Sequence, residues 1–544
     1  GDRVVALDPA SGREIWVHEI DEGLASFRGV AYWPGTDEIP ARIYFTSLKK
    51  MIALDAADGT RATAFGDNGE IDLVVAYSGV PTIYEDRIII GANFFGPGEV
   101  HIGPQLTDPR GQNGNSRGYD VVTGEKVWEY NTIPQPGEPG HDTWGNESWR
   151  DRTGNNVWTF ALTVDEAAGL VYMPVSTPGA NYYGGDRPGN NEPSNSVVAL
   201  DARTGEVRWY YQMIHHELWD YNLPPAAALV DLTIDGESIP ALAQTGKHAQ
   251  MFILDRLTGE PVFEVEEVAV PAGDVPGEWY APTQPIPVKP PPVARVSFDP
   301  ETDMVTADDT TPEHAAACRA LWDEVGFYNA GPYTPFNLQA PGTPPSLVFP
   351  SLTGGVNWGG VAIDPERKLI VLKSKDEATT GWTIPNPRYN EDTAYEEVPY
   401  TRGNGPAFAA ESADGARWPC HKPPWASLMA IDAEAGEIVW SVPLGVNDTM
   451  PEGKQNVGSP GYGGPIVTAG NLIFIGATSD QTFRAFDSRN GEELWSWELP
   501  YTITAIPVTY ASNDGQQYVA VTAARSGSGE PGDEGLYVFA LPDD

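Results

Sequence analysis

Positive charge is what this 544-residue chain has least of: 33 Lys and Arg stand against 76 Asp and Glu, a formal net charge of −43. No basic stripe interrupts the excess, so nothing offers a phosphate backbone the charge neutralisation on which its affinity rests, and nucleic acid is excluded as a partner. The acidity reads as a solvated exterior. No apolar run approaches the 18 residues of a membrane-spanning helix, so no transmembrane segment is expected in this chain, and Gly1 to Asp8 read as strand and turn rather than as an export signal. Cysteine occurs twice, at Cys318 and Cys420, too few for a disulfide scaffold. C-x-x-C-H is missing, which excludes covalently attached haem, and no G-x-G-x-x-G opens a strand-turn-helix unit, which argues against a nicotinamide enzyme.

Turn formers and aromatic rings are plentiful. Gly and Pro fill 108 positions, turn-rich but short of disorder, and 17 Trp, 23 Tyr and 17 Phe argue for a packed fold. A repeat organises them: apolar-x-Asp, Gly four residues later, Trp four residues after that. It occurs at Ala6–Trp16, Tyr119–Trp128, Ala199–Trp209, Ala430–Trp440 and Ala485–Trp495, and without the Trp at Ala53–Thr63 and Ile253–Phe263. Each copy reads as strand, Gly-containing tight turn, strand. Such a hairpin cannot bury its face alone, but stacked radially its Trp can lie against the neighbouring unit, which makes a β-propeller. The tryptophans are then core residues.

Asp255 and Asp432 are 177 positions apart, and in that gap VAIDPERKLIVL (Val361–Leu372) reads as a degenerate copy and raises the expected count to eight blades. The expectation is an all-β fold, one eight-bladed propeller over 1–544, with insertions near 264–350 and 374–425. One short helix is expected from Thr311 as N-cap and Pro312 in the first turn. Three stretches depart from the repeat and are rich in Trp, His, Asn and Gly: Leu24–Ser47, Thr143–Trp158 and His215–Pro224. In the last, His215, His216, Glu217 and Asp220 form a candidate metal cluster, although the spacings of zinc sites are missing. Asp220 reads equally well as a buried turn-forming residue.

The repeat, with RGVAYWPG (Arg28–Gly35), VWTFALTVDEAAGLVYMPVSTPG (Val157–Gly179), HHELWDYNLP (His215–Pro224), GEWYAPTQPIPVKPPP (Gly277–Pro292), PCHKPPW (Pro419–Trp425) and GGPIVTAGNLIFIGAT (Gly463–Thr478), resembles the pyrroloquinoline quinone (PQQ) dependent dehydrogenases over essentially the whole chain. It is nearer to the periplasmic domain of membrane glucose and quinate dehydrogenases than to methanol dehydrogenase. The resemblance implies PQQ and a divalent metal, Ca2+, on the axis of an eight-bladed propeller. It places Asp220 at the general base, Lys247 at the cation that polarises the quinone oxygens, Trp158 at the indole stacked on PQQ, and Arg28 at the guanidinium facing a PQQ carboxylate. Asn357 and Trp358 are implied cofactor contacts, and Thr177, Asn93 and Asp220 implied metal positions.

Departures from the family pattern are equally specific. Asn93 stands where alcohol dehydrogenases carry a metal-ligand Glu, and Asn222 where lanthanide users carry Asp, which favours a divalent ion. Lys373 stands where an Asn is common at the quinone. The adjacent Cys pair of methanol-type enzymes is absent before Arg28, and Trp33 is a candidate for the substrate-side packing it leaves open. The contexts of Cys318 and Cys420 resemble cysteine-bearing segments of glucose-dehydrogenase relatives, implying a disulfide; two buried thiols are the alternative. The activity implied is oxidation of an alcohol or sugar, with electrons leaving to a quinone or cytochrome c, in the periplasm or outside the cell. A non-catalytic scaffold of the outer-membrane assembly type shares the repeat, but has no reason to keep Asp220, Lys247, Trp158 and Arg28 together.

Overall fold

A computed structural model describes residues 2–26, 28–92, 108–158, 162–412, 415–513, 515–525 and 534–541. Apart from one α-helix and two short 3-10 turns, the regular structure among them is antiparallel strand. Four-stranded sheets built from neighbouring strands occupy Ala31–Asp72, Thr82–Tyr130, Thr163–Gln212 and Ile466–Glu498, and three-stranded sheets Ala228–Asp255 and Val508–Ala540. Arg3–Leu7 pairs with Glu14–Glu19 in a two-stranded sheet.

The tight turn has a physical cause that repeats. At all seven copies the Gly (12, 59, 124, 205, 259, 436, 491) lies at φ between +66° and +79°, where a Cβ is strained. At Asp120, Asp201, Asp255 and Asp432 the carboxylate accepts the N–H groups two and three residues on, an Asx turn. In the five Trp-bearing copies the strand register shifts beside the turn, for example between Ala199 and Leu200. That bulge turns the ring toward the next unit.

Four of the five rings dock on the glycine of the copy that follows; the fifth, Trp495, packs against Phe539. A β-carbon built on Gly59 would lie 2.5 Å from the Trp16 ring, on Gly205 2.7 Å from Trp128, on Gly259 2.6 Å from Trp209, and on Gly491 2.6 Å from Trp440. The same indoles donate to the carbonyls of Ala56, Ala202, Arg256 and Ser488 at 3.0 to 3.3 Å. Phe65 and Phe263 take this place against Gly124 and Gly436, so the sequence of docked units passes across the long gap. The apolar core is accordingly layered between sheets: Met251 and Ile253 of one pack with Ile370, Leu372, Met429 and Ile431 of the next. Such side chains contribute roughly 1.5–3 kcal/mol each when fully buried.

Two sequence expectations are corrected. Val361–Leu372 is not a separate degenerate copy: Val361–Asp364 and Leu369–Lys375 form one four-stranded sheet with Ala426–Asp432 and Glu437–Pro443. The last sheet in chain order, Val508–Ala540, carries no copy of the motif. Trp33 is not at a substrate face; it is 6% exposed, packs with Tyr44 and Tyr77, and donates from Nε1 to Glu85 O.

Small sheets (Val265–Ala269 with Thr283–Pro287; Ser346–Val348, Thr379–Pro385 and Tyr400–Asn404; Ala409–Glu411 with Arg417–Pro419) and the helix Pro312–Val325 interrupt the series. Thr311 Oγ1 accepts His314 N–H at 3.2 Å and Gly326 ends the helix at φ +66°, as its sequence requires. Cys318 and Cys420 are disulfide-bonded, tying the helix to the Arg417–Pro419 strand end. Among the described residues no helix is long and apolar enough to cross a membrane.

Candidate active site

The loop after Val207–Gln212 carries Asp220, and its conformation is held from several directions. Asp220 sits at φ +61°, a left-handed conformation that an Asp adopts only at a cost. On either side, Trp219 Nε1 donates to Thr334 O at 2.7 Å and Tyr221 Oη to Pro350 O at 2.6 Å. Glu217, fully buried, accepts the backbone N–H of both Trp219 and Tyr221 on Oε1 at 2.6 Å. Burial pushes its carboxyl up, against the N–H donated by Tyr221, to about 7.

The carboxylate of Asp220 is surrounded by donors. Lys247, placed just beyond Glu237–Thr245, reaches Oδ2 at 2.9 Å, and Asn222 and Asn181 donate to Oδ1 at 2.6 and 3.1 Å. Asn222 in turn accepts Thr177 N–H at 3.2 Å, and Asn195 donates to Thr177 Oγ1 at 3.4 Å and to Tyr221 O at 3.0 Å. Oδ1 of Asn181 and Oδ1 of Asn195 are buried without a hydrogen-bond partner among the described residues. Asp220, Lys247, Thr177 and Asn222 thus form one cluster. Asn181 and Asn195 escaped sequence reasoning; the only signal was the density of Asn and Gly between 179 and 195.

A strap through residues 351–360 extends the cluster. Gly355 N–H donates to Lys247 O at 3.0 Å, and Lys375 N–H to Gly355 O at 2.8 Å, which brings the next sheet alongside. The strap, Lys373, Lys375, Gly461, Tyr462 and Gly463 line a small cavity that Asn357 also faces. Asn357 donates from Nδ2 to Thr353 O and accepts Trp358 N–H, both at 2.7 Å, and Trp358 stacks with Tyr462 at 6.4 Å. Lys375 pairs with Glu377 at 3.2 Å. Lys373 is 5% exposed, donates to Gly461 O, and has no carboxylate within 4 Å among the described residues. Burial holds its ammonium well below the usual lysine range.

Arg28 and Trp158 stand on other elements. The Arg28 guanidinium, brought down to about 10 by burial, approaches Ser78 O and Oγ at 3.5 and 3.4 Å. Trp158 follows Val157, whose backbone bridges Val175, two residues before Thr177. Asn93 lies outside the described residues.

His215 and His216 do not join Asp220 in a metal cluster. His215 contacts Gln212 and Glu267; His216, kept below its ordinary range by burial, contacts Gly189 O and Glu278. Among the described residues the one grouping of three metal-ligating side chains is His314 with Cys318 and Cys420, whose sulfurs are in the disulfide.

A family model for the PQQ glucose/ethanol/alcohol dehydrogenase β-propeller domain matches residues 1–519. The quinate/shikimate dehydrogenase (quinone) of Acinetobacter baylyi is 32% identical over 99% of this chain and 70% of its own length. The quinoprotein glucose dehydrogenase of Escherichia coli is 30% identical over 100% of this chain and 70% of its own. The solved quinohemoprotein alcohol dehydrogenase from Comamonas testosteroni superposes with a TM-score of 0.66 at 21% identity, covering 100% of this chain and 73% of that one, a likeness of fold. Dehydrogenases over nearly the full chain set the scaffold alternative aside. The chain belongs to the PQQ-dependent glucose, ethanol and alcohol dehydrogenases built on a β-propeller domain.

Proposed function

We propose that this quinoprotein dehydrogenase oxidises an alcohol, sugar, polyol or bulky cyclic secondary alcohol to the carbonyl, with Asp220 as general base, Lys247 beside it, and Ca2+ as the metal. The observation that carries the reading is the Asp220–Lys247 pair inside a set of oxygen donors. The relatives named for quinate, glucose and glycerol support the substrate range.

The residues fit the cofactor and the ion. Lys373, buried with no carboxylate within 4 Å among the described residues, and the half-buried Arg28 offer positive charge to a polyanionic ligand, and Trp158 offers a flat ring on which one can stack. Asp220, Thr177 and the unpartnered oxygens of Asn181 and Asn195 are hard donors of the kind calcium takes. Neutral Asn222 keeps their charge low, which suits a divalent ion; Asn93 is proposed as a further ligand.

When bound, PQQ supplies an electrophilic quinone carbon that takes up the substrate's hydride. Asp220 accepts the hydroxyl proton as the carbonyl forms. Lys247 balances the carboxylate's charge and presents N–H donors to oxygen on the same side of the site. Asn357 and Trp358 are proposed as further residues that would hold the cofactor. The series of docked sheets is read as eight blades of one propeller over 1–544, with insertions near 264–350 and 374–425. Electrons are proposed to leave to a quinone or cytochrome c in the periplasm or outside the cell, a location the disulfide supports.

Reconstituting the protein with PQQ and calcium and screening alcohols, sugars and hydroxy acids with a dye acceptor tests this. Turnover that needs both additions is expected; dye reduction that survives removal of both refutes it.

A further inference from the structure

The backbone at Asp220 is held by a neighbouring side chain of its own loop. Its left-handed backbone is enclosed by the N–H groups of Trp219 and Tyr221, and both converge on a single oxygen, Oε1 of Glu217, at 2.6 Å. Glu217 is itself held from outside the loop: its carbonyl accepts Arg187 at 2.7 Å, and Arg187, fully buried, also binds Asn191 at 2.8 Å. Its Oε2 is buried without a hydrogen-bond partner among the described residues. One carboxylate oxygen therefore bridges the peptide groups on both sides of Asp220, in a place water does not reach, where two orphaned N–H groups would each be costly.

We propose that Glu217 is a positioning residue that fixes the backbone of Asp220 and so directs its carboxylate at Lys247 and the substrate hydroxyl. The acceptor oxygen does this, not the negative charge. The inference rests on Asp220 being the base. Misplacing a reacting group by an ångström lowers rate by up to about a hundredfold while leaving binding contacts in place.

Two variants separate acceptor from volume. Glu217→Met fills the space and removes the acceptor; Glu217→Gln keeps an oxygen for both N–H groups. Turnover per bound PQQ should fall about tenfold or more in Glu217→Met, with KM and PQQ affinity within about twofold of wild type, and Glu217→Gln should recover most of the loss. Unchanged turnover per cofactor in folded Glu217→Met overturns the proposal, as does a Glu217→Gln enzyme no better than Glu217→Met. Should Glu217→Met not fold, hydrogen exchange in the wild-type protein decides: slow exchange at the Trp219 and Tyr221 amides is expected, and fast exchange at either overturns the clamp. Asp220→Asn measured in parallel distinguishes the failures, since full turnover there refutes the base assignment itself, whereas an inactive Asp220→Asn beside an unaffected Glu217→Met refutes only the positioning role.

Discussion

Lys247 Nζ binds Asp220 twice, at 2.9 Å to the carboxylate Oδ2 and at 2.9 Å to the residue's own carbonyl oxygen. The double contact joins the loop after Val207–Gln212 to the end of Glu237–Thr245, so the proposed base and its cation keep one geometry although they come from neighbouring sheets. With side-chain exposures of 19% and 8%, the pair is reachable yet largely shielded from solvent. In such a place a charge pair is worth more than on the open surface.

Asp220→Asn should lower turnover per bound PQQ by roughly a hundredfold or more, the usual effect of losing a general base. Oδ1 can still accept from Asn181 and Asn222, but the new amide NH2 faces the Lys247 ammonium, donor against donor, so a modest fall in melting temperature accompanies the loss. A residue important only for the turn predicts the reverse: a lower melting temperature with normal turnover in the folded fraction. Kinetics normalised to bound cofactor, beside a melting curve, checks this.

Lys373→Met should move stability and cofactor affinity in opposite directions. Replacing a buried ammonium that has no carboxylate within 4 Å among the described residues with an apolar chain of similar length should raise the melting temperature of the cofactor-free protein. PQQ affinity should fall about tenfold or more if that ammonium faces the cofactor's negative charge. Titration of PQQ followed by tryptophan fluorescence reads the second effect; unchanged affinity would remove Lys373 from the cofactor site.

The docking role of the repeat glycines is separable from their turn role. Gly12 and Gly205 share the left-handed conformation, at φ +67° and +73°, but a β-carbon at Gly12 meets nothing within 4 Å, while at Gly205 it would enter the Trp128 ring at 2.7 Å. Gly12→Ala should cost about 1–2 kcal/mol, from backbone strain alone. Gly205→Ala should cost that plus an overpacking penalty of about 1–3 kcal/mol. Denaturant midpoints compare them, and equal losses would count against docking as a source of stability.

Acid should weaken the protein partly through Glu129. Although burial pushes this carboxyl up, hydrogen bonds from Asn115 and Lys126 and the Arg117 guanidinium outweigh it and hold it at about 2. A carboxyl lowered by folding contributes stability above its ordinary value of 4.5, and that contribution is lost as pH falls from there toward 2. Glu129→Gln should therefore be less stable than wild type at neutral pH and should lose less between those limits. Parallel pH dependences for the two proteins would contradict the assignment.

The seven motif copies were legible because each function of the motif is local: Gly supplies a positive φ, Asp closes the turn through its own neighbours, and in six of the seven an aromatic ring follows at fixed spacing. The helix at Pro312–Val325 was legible for the same reason, its cap residue and first proline lying side by side in the chain. Without the resemblance Asp220 was legible only as a member of a candidate metal cluster and Lys247 not at all, since 27 residues separate them and nothing in their spacing announces a 2.9 Å contact. Tertiary structure alone decided that Val361–Leu372 pairs within another unit's sheet, that Trp33 is core, and that Glu217 faces its own loop rather than a metal. Strand pairing, burial and the convergence of donors on one oxygen depend on segments far apart in the chain meeting in space, and a pattern read along one strand contains no distance to the next.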